Sequence, residues 1–379
     1  MGCTYSGYFI VNFTGVCFKL CRKQEKRYIV SRQSRIDNNL LPLRDSKLDT
    51  MKAILITLVV FGHCISNLFD AHSQWIFSLI YSFHMPAWFM SSGIVFKSSY
   101  SLKEFIKKKT EGLLYPLIGF VILMEAYYLG MNFLQHNIPD YLTEPSSVDA
   151  VLRNVLFLPN GSWGGGLWYL PSLYILCIIA FIVDRISQNL IKWSCVGLCA
   201  IVGFIMINHG IQIPYYAVTS LIAIPFFYLG KPIYSWVKKQ KSGCAKIYFV
   251  LFSVCWLVLA AACLCNKHVV CEMASGNVGN PVLFYVIATL GSTGLMLLSQ
   301  SIKSNSVIQL IGRETLFIYG CHYPVVAFAR FVIRRMVHTQ NVTLTTLISF
   351  LTTIVIICCL VKIKLFMEEK SYGFEKNQK

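Results

Sequence analysis

The sequence predicts an all-α integral membrane protein with about ten transmembrane helices in one bundle. Three observations carry that reading. Of 379 residues, 55% are hydrophobic and 13% are charged, more apolar than one soluble core can hide, because a core stops growing with chain length. The apolar residues come in runs close to the length a bilayer-spanning helix needs. The charges gather in the short stretches between those runs. A formal net charge of +17 would suggest nucleic acid, but charges placed this way are topology signals, and no nucleic-acid partner is expected. The 15 cysteines do not form a secreted disulfide framework. Most, such as Cys177, Cys195, Cys199, Cys255, Cys358 and Cys359, lie inside apolar runs, where a thiol acts as a small hydrophobe. No C-x-x-C pair occurs, so no metal site is expected.

Residues 1–51 read as a cytoplasmic N-terminal extension. The apolar stretch from Tyr8 to Phe18 is too short to span a bilayer. Its basic cluster (Lys19, Arg22, Lys23, Lys26, Arg27) follows the apolar part, the reverse of a secretory signal. Ten apolar segments follow: 52–70, 74–96, 113–135, 167–183, 193–207, 214–230, 247–265, 281–300, 315–333 and 342–361. They define a transmembrane domain over 52–361, with a cytoplasmic tail at 362–379. With the N-terminus inside and strict alternation, 29 of the 34 Lys and Arg fall on inside stretches. The outside and its margins keep only Arg153, Lys267, Arg330, Arg334 and Arg335. That asymmetry predicts both termini in the cytoplasm. The longest outside loop, 136–166, carries the turn-rich stretch Pro159 to Gly166 just before Leu167-Trp168-Tyr169-Leu170-Pro171.

The first apolar run holds the residues best suited to chemistry. Lys52 stands near its start and His63 about midway along the segment. Eleven residues is roughly three helical turns, so both lie on nearly one face, about 16 Å apart along the axis. Asp49, three residues before Lys52, can neighbour it. Ionisable groups inside a span are functional by default. A neutral imidazole can take a proton from a hydroxyl; a core histidine donating to a neighbouring helix is the equally weighted alternative. His84 in Phe83-His84-Met85-Pro86 is either a second cavity residue or a packing residue at a proline kink. Ser92 and Gly93 permit close helix approach. Arg313 is a phosphate ligand or a cytoplasmic anchor, and His322 lies two turns into the same span. Glu125 is a structural acceptor or part of a polar cavity. Trp75, Trp163, Trp168 and Trp193 stand near span ends, as interfacial belts or, for Trp168, as a substrate wall. Asn160-Gly161-Ser162 and Asn341-Val342-Thr343 match the glycosylation pattern.

Taken together, these residues resemble acyltransferase family 3 of integral membrane proteins, over residues about 44–330. The resemblance rests on Arg44-x4-Asp49-x2-Lys52, on Leu58-Val59-Val60-Phe61-Gly62-His63, on Phe83-His84-Met85-Pro86 with Ser92-Gly93, and on Leu167-Trp168-Tyr169-Leu170. Its last point is Ile311-Gly312-Arg313-x-Thr315-Leu316-x-Ile318-Tyr319-x2-His322. It implies transfer of an acyl group from cytoplasmic acyl-CoA to a saccharide hydroxyl, acetyl-CoA first, with no permanently bound cofactor. It maps the essential histidine to His63 and its basic partner to Lys52. Asp49, His84, Ser92, Trp168 and His322 then fall in the substrate cavity, and Lys107, Lys108, Lys109 and Arg313 near the donor phosphates. Two departures stand out. Lysine replaces the usual arginine at Lys52, and Gly112 precedes Leu113-Leu114-Tyr115-Pro116 where members often have arginine. The resemblance implies the stand-alone type, in the bacterial inner (cytoplasmic) membrane. Two rivals have other functions: a glycan or acyl-donor transporter, and an inactive relative serving as an assembly partner.

Overall fold

The computed structural model describes residues 44–65, 71–134, 166–211, 213–265, 272–274, 276–336 and 342–376. The N-terminal extension up to residue 43, Trp163, both glycosylation motifs' asparagines and the side chain of Glu125 lie outside the described residues. Among those described there is no strand, only a single isolated bridge between Glu272 and Asn277.

Among the described residues thirteen α-helices follow one another. They are α1 (Ser46–Ile65), α2 (Ala71–Tyr81), α3 (His84–Ile94), α4 (Leu102–Lys109), α5 (Tyr115–Leu134), α6 (Tyr169–Val183) and α7 (Asn189–Asn208). The rest are α8 (Ala217–Lys238), α9 (Ser242–Cys265), α10 (Pro281–Ser301), α11 (Ser306–Arg313), α12 (Thr315–Met336) and α13 (Val342–Lys376). Seven are long and apolar enough to cross a membrane: α1, α7, α8, α9, α10, α12 and α13. Each coincides with one of the ten expected segments.

The expected count of about ten continuous spans is not reproduced. The second segment is two 11-residue helices, α2 and α3, broken at Ser82-Phe83. Pro86 has no N–H to bond the Ser82 carbonyl one turn earlier, so the ladder fails there. The fourth segment, α6, is only 15 residues long. The third continues into α5 from a π-helical turn at Thr110–Leu114, which contains Gly112.

The spans divide into a buried set and a lipid-facing set. Of the apolar window of α1, 67% is buried inside the protein, against 11% for α9. Helix α3 packs on α8, α10 and α1; α12 packs on α1 and α13; α7 lies against α8, and α9 against α10. The α3–α8 crossing depends on two glycines. A Cβ at Gly93 would sit 1.8 Å from the Phe227 carbonyl oxygen, and one at Gly230 would sit 2.2 Å from that of Met90. Small residues allow this backbone approach, since no hydrophobic effect drives helices together in lipid. Gly312 plays the same part for α11, where a Cβ would lie 2.1 Å from the Asp49 carbonyl oxygen.

The stretches assigned to one side of the membrane meet each other. Lys238 pairs with Asp45 at 3.0 Å, Lys47 donates to the carbonyls of Gln300 and Ile302, and Lys364 pairs with Glu314 at 2.6 Å. Ser98 donates to Asp184, and Arg185 donates to the Tyr100 carbonyl. Burial pushes the Asp45 carboxyl upward, but the bond and charge of Lys238 help hold it below its ordinary value.

Two outcomes are expected. Gly93→Ala should destabilise the folded protein by about 1–3 kcal/mol, as overpacking does, measured by thermal unfolding in detergent. Gly197→Ala should be neutral, because a Cβ there meets nothing within 4 Å. In a cysteine-depleted background, single cysteines placed at Lys107, Lys241 and Lys303 should all label from one side of the membrane. Labelling of any of them from the opposite side would overturn this arrangement.

Candidate active site

The motifs that lie far apart in sequence meet around two histidines. His63, in the last turn of α1, and His322, in α12, bring their ring centroids to 5.0 Å. Tyr323 adds its ring edge-on to His63 at 5.5 Å. Gly166, just before α6, faces both. A Cβ there would lie 3.2 Å from His322 Nε2 and 3.5 Å from His63 Nε2, so the two nitrogens converge on one spot that a larger residue would fill.

The orientation of His322 is fixed. Its Nδ1 lies 2.6 Å from the Tyr319 carbonyl oxygen. A carbonyl only accepts, so Nδ1 carries the proton and Nε2 keeps its lone pair. That Nε2 is buried and meets no hydrogen-bond partner among the described residues.

Tyr319 also ties this helix to α6 and α3. The Tyr169 N–H donates to Tyr319 Oη at 3.2 Å. The Tyr169 hydroxyl donates its single proton to the Trp88 carbonyl at 3.1 Å and accepts from Ser92 at 2.8 Å. A chain of contacts thus runs from Ser92 through Tyr169 and Tyr319 to His322. Trp168 is half-buried beside it, its ring 6.3 Å from Phe89 and 6.1 Å from Tyr216. Tyr215 and Tyr216 themselves hold positive φ values of 63° and 54°, a conformation costly for bulky residues.

His84 is placed differently. Its Nδ1 lies 2.9 Å from the Ile80 carbonyl oxygen, across the α2–α3 break. Its ring meets Tyr81 edge-on at 4.5 Å. Tyr81 in turn covers Gly62, where a Cβ would lie 3.0 Å from the Tyr81 ring. His84 therefore reaches, through Tyr81, the residue next to His63, and it also bridges the broken helix.

The charged residues lie toward the start of α1. Arg44 grips the buried Asp49 carboxylate with two bonds, Nε to Oδ2 at 2.6 Å and Nη2 to Oδ1 at 2.9 Å. This fork geometry is the strong form of the pair. Lys52 is half-buried one turn further in, within range of both charges. Lys108 is exposed, paired with Glu104 at 2.8 Å and lying over the Tyr100 ring. Lys109 turns inward between the rings of Phe96 and Phe105. Arg313 is exposed and donates to Gln309; its neighbour Gly312 is the packing residue of that motif. The structure thus brings together His63, His322, Ser92 and Trp168, groups Asp49 with Lys52, and leaves Lys108 and Arg313 on the surface.

Two features had no role in the sequence reading. Lys364 and Glu314 form a buried ion pair, 50 residues apart, with side chains no more than 10% exposed. Arg330, which charge counting assigned to the outside, donates to the carbonyls of His63 and Cys64. The one signal for it was an arginine standing inside an apolar stretch.

The chain is similar to a curated relative and to one protein family. The nodulation protein NolL of Sinorhizobium fredii is 25% identical over 235 residues, which cover 59% of this chain and 57% of NolL. The chain thus matches little more than half the length of that curated relative. No solved structure matches. The sequence model of the acyltransferase domain matches residues 45–362, which includes both ends of α1, the α2–α3 break, the start of α6 and the whole of α12. This chain belongs to acyltransferase family 3.

Proposed function

We propose that this membrane acyltransferase is an O-acetyltransferase. It moves an acetyl group from cytoplasmic acetyl-CoA to a hydroxyl of a cell-surface or lipid-linked glycan. The observation that carries the reading is the half-buried His63 against the buried His322, with Gly166 facing both, on a helix whose other end holds Lys52. Family membership supplies the reaction class.

Donor and acceptor approach from opposite ends of α1. The CoA phosphates arrive near Lys52, with Lys109 and Arg313 further out. An extended pantetheine arm runs the roughly 16 Å of helix to His63. His63 takes the proton from the sugar hydroxyl as its oxygen attacks the thioester carbonyl carbon. The new C–O bond forms, the C–S bond breaks, and the departing CoA thiolate receives the proton back from the imidazolium. Trp168 and Ser92 line the acceptor side. Both termini lie in the cytoplasm of a bacterial inner membrane, as the charge asymmetry of the loops supports.

The test is purified protein in lipid, given labelled acetyl-CoA and the native glycan, with mass spectrometry of the product. Wild-type protein should add one acetyl unit per modified sugar. His63→Gln keeps hydrogen-bonding capacity but removes the base, and should lower turnover about 10²–10⁴-fold while the protein stays folded. Lys52→Ala should raise the apparent KM for acetyl-CoA, and Lys52→Arg should restore most of the donor affinity. Full activity in His63→Gln would sink the general-base role. An unchanged glycan mass in the presence of transport would favour the transporter instead.

A further inference from the structure

Arg330 lies in α12, within the apolar stretch Thr315–Ile333, where a charged side chain is expensive and is retained for a purpose. Its purpose is visible in what it touches. The half-buried guanidinium reaches across to α1 and donates from Nη2 to the carbonyl oxygens of His63 and Cys64. The described part of α1 runs to Ile65. A bilayer core has no water to serve a guanidinium or a carbonyl, so the bonds to these two carbonyls tie α12 to α1 where His63 stands.

One of the two belongs to His63 itself. The same helix grips the His63 ring from the other side. Tyr323, seven residues before Arg330 and so nearly on the same face of α12, packs edge-on against the imidazole at 5.5 Å. His322 stands 5.0 Å from it. Ring and backbone of His63 are therefore held by one rigid element. A misplacement of about 1 Å at a reacting group can lower a rate about 10²-fold.

We propose that Arg330 is a positioning residue for His63. By bonding the His63 and Cys64 carbonyls it fixes the imidazole opposite His322, and it supports turnover without touching donor or acceptor. The proposal rests on His63 acting as the base. Both bonds leave one Nη2, whose two N–H groups are held in the guanidinium plane, whereas the lysine ammonium is a flexible point charge. Lysine at this position should therefore rescue only in part.

The test uses the full chain in lipid with Arg330→Ala, Arg330→Gln and Arg330→Lys, and two readouts. In protein labelled with [15N]histidine, the His63 ring signals are identified as those lost in His63→Gln. Arg330→Ala should shift or broaden them while leaving those of the exposed His209 in place. In the acetylation assay, Arg330→Ala should lower kcat about 10²-fold with an unchanged KM for acetyl-CoA, and Arg330→Lys should recover part of the loss. Wild-type kcat in Arg330→Ala would overturn the proposal. So would unmoved His63 signals in whichever variants fold, since Arg330 would then be a structural tie alone. The spectral arm decides this even if His63→Gln proves active and the base assignment falls.

Discussion

Inside a bilayer every backbone polar group must find its partner within the protein. That constraint shapes this fold at two places. One is the α2–α3 break, where Pro86 cannot serve the Ser82 carbonyl. Around it Ser82 Oγ donates to the Leu79 carbonyl and accepts from Trp256 Nε1, Ser292 donates to the Phe83 carbonyl, and His84 bonds Ile80. The other is α1 at His63, where Arg330 donates to the carbonyls of His63 and Cys64. At both places side chains from other helices bond the backbone beside a histidine.

The approach of helices is set by glycines rather than by apolar attraction. Gly93 and Gly230 bring α3 and α8 into backbone contact, and Gly312 brings α11 onto the Asp49 carbonyl. These contacts place Ser92 within reach of Tyr169 and hold the charged end of α1 under α11. Tyr169 then couples three elements with one side chain and one amide. Removal of any single bond in that chain would leave a buried donor or acceptor unmade, which is more costly than the bond itself is favourable.

The charges show a division of labour. The Arg44–Asp49 pair is a compact fork at the start of α1, and Glu314–Lys364 ties α13 to the start of α12. A buried pair of this kind is weak evidence for added stability, because desolvation offsets the attraction. Its clearer effect is to fix which segments meet. Lys52, by contrast, lies half-buried within range of the Arg44 and Asp49 charges, on the helix face that leads toward His63.

The sequence alone determined the helical membrane class, seven of the spans, and the central residues, because hydropathy and i,i+11 spacing are local properties. His63 and Lys52 on one face of α1, and Asp49 as a neighbour of Lys52, could be read that way. Arg44 and the motif ending at His322 could be read through family resemblance. The chain's path decided the rest. Hydropathy measures composition and not hydrogen bonding, so the α2–α3 break looked like one span. The exposure of Lys108 and Arg313 depends on which helix face meets a neighbour. The meeting of His63 with His322 joins positions 259 residues apart, and the reach of Arg330 to α1 spans 267. Only packing can bring such positions together, so only the tertiary structure turned an arginine counted at the outer margin into a tie on the helix that carries His63.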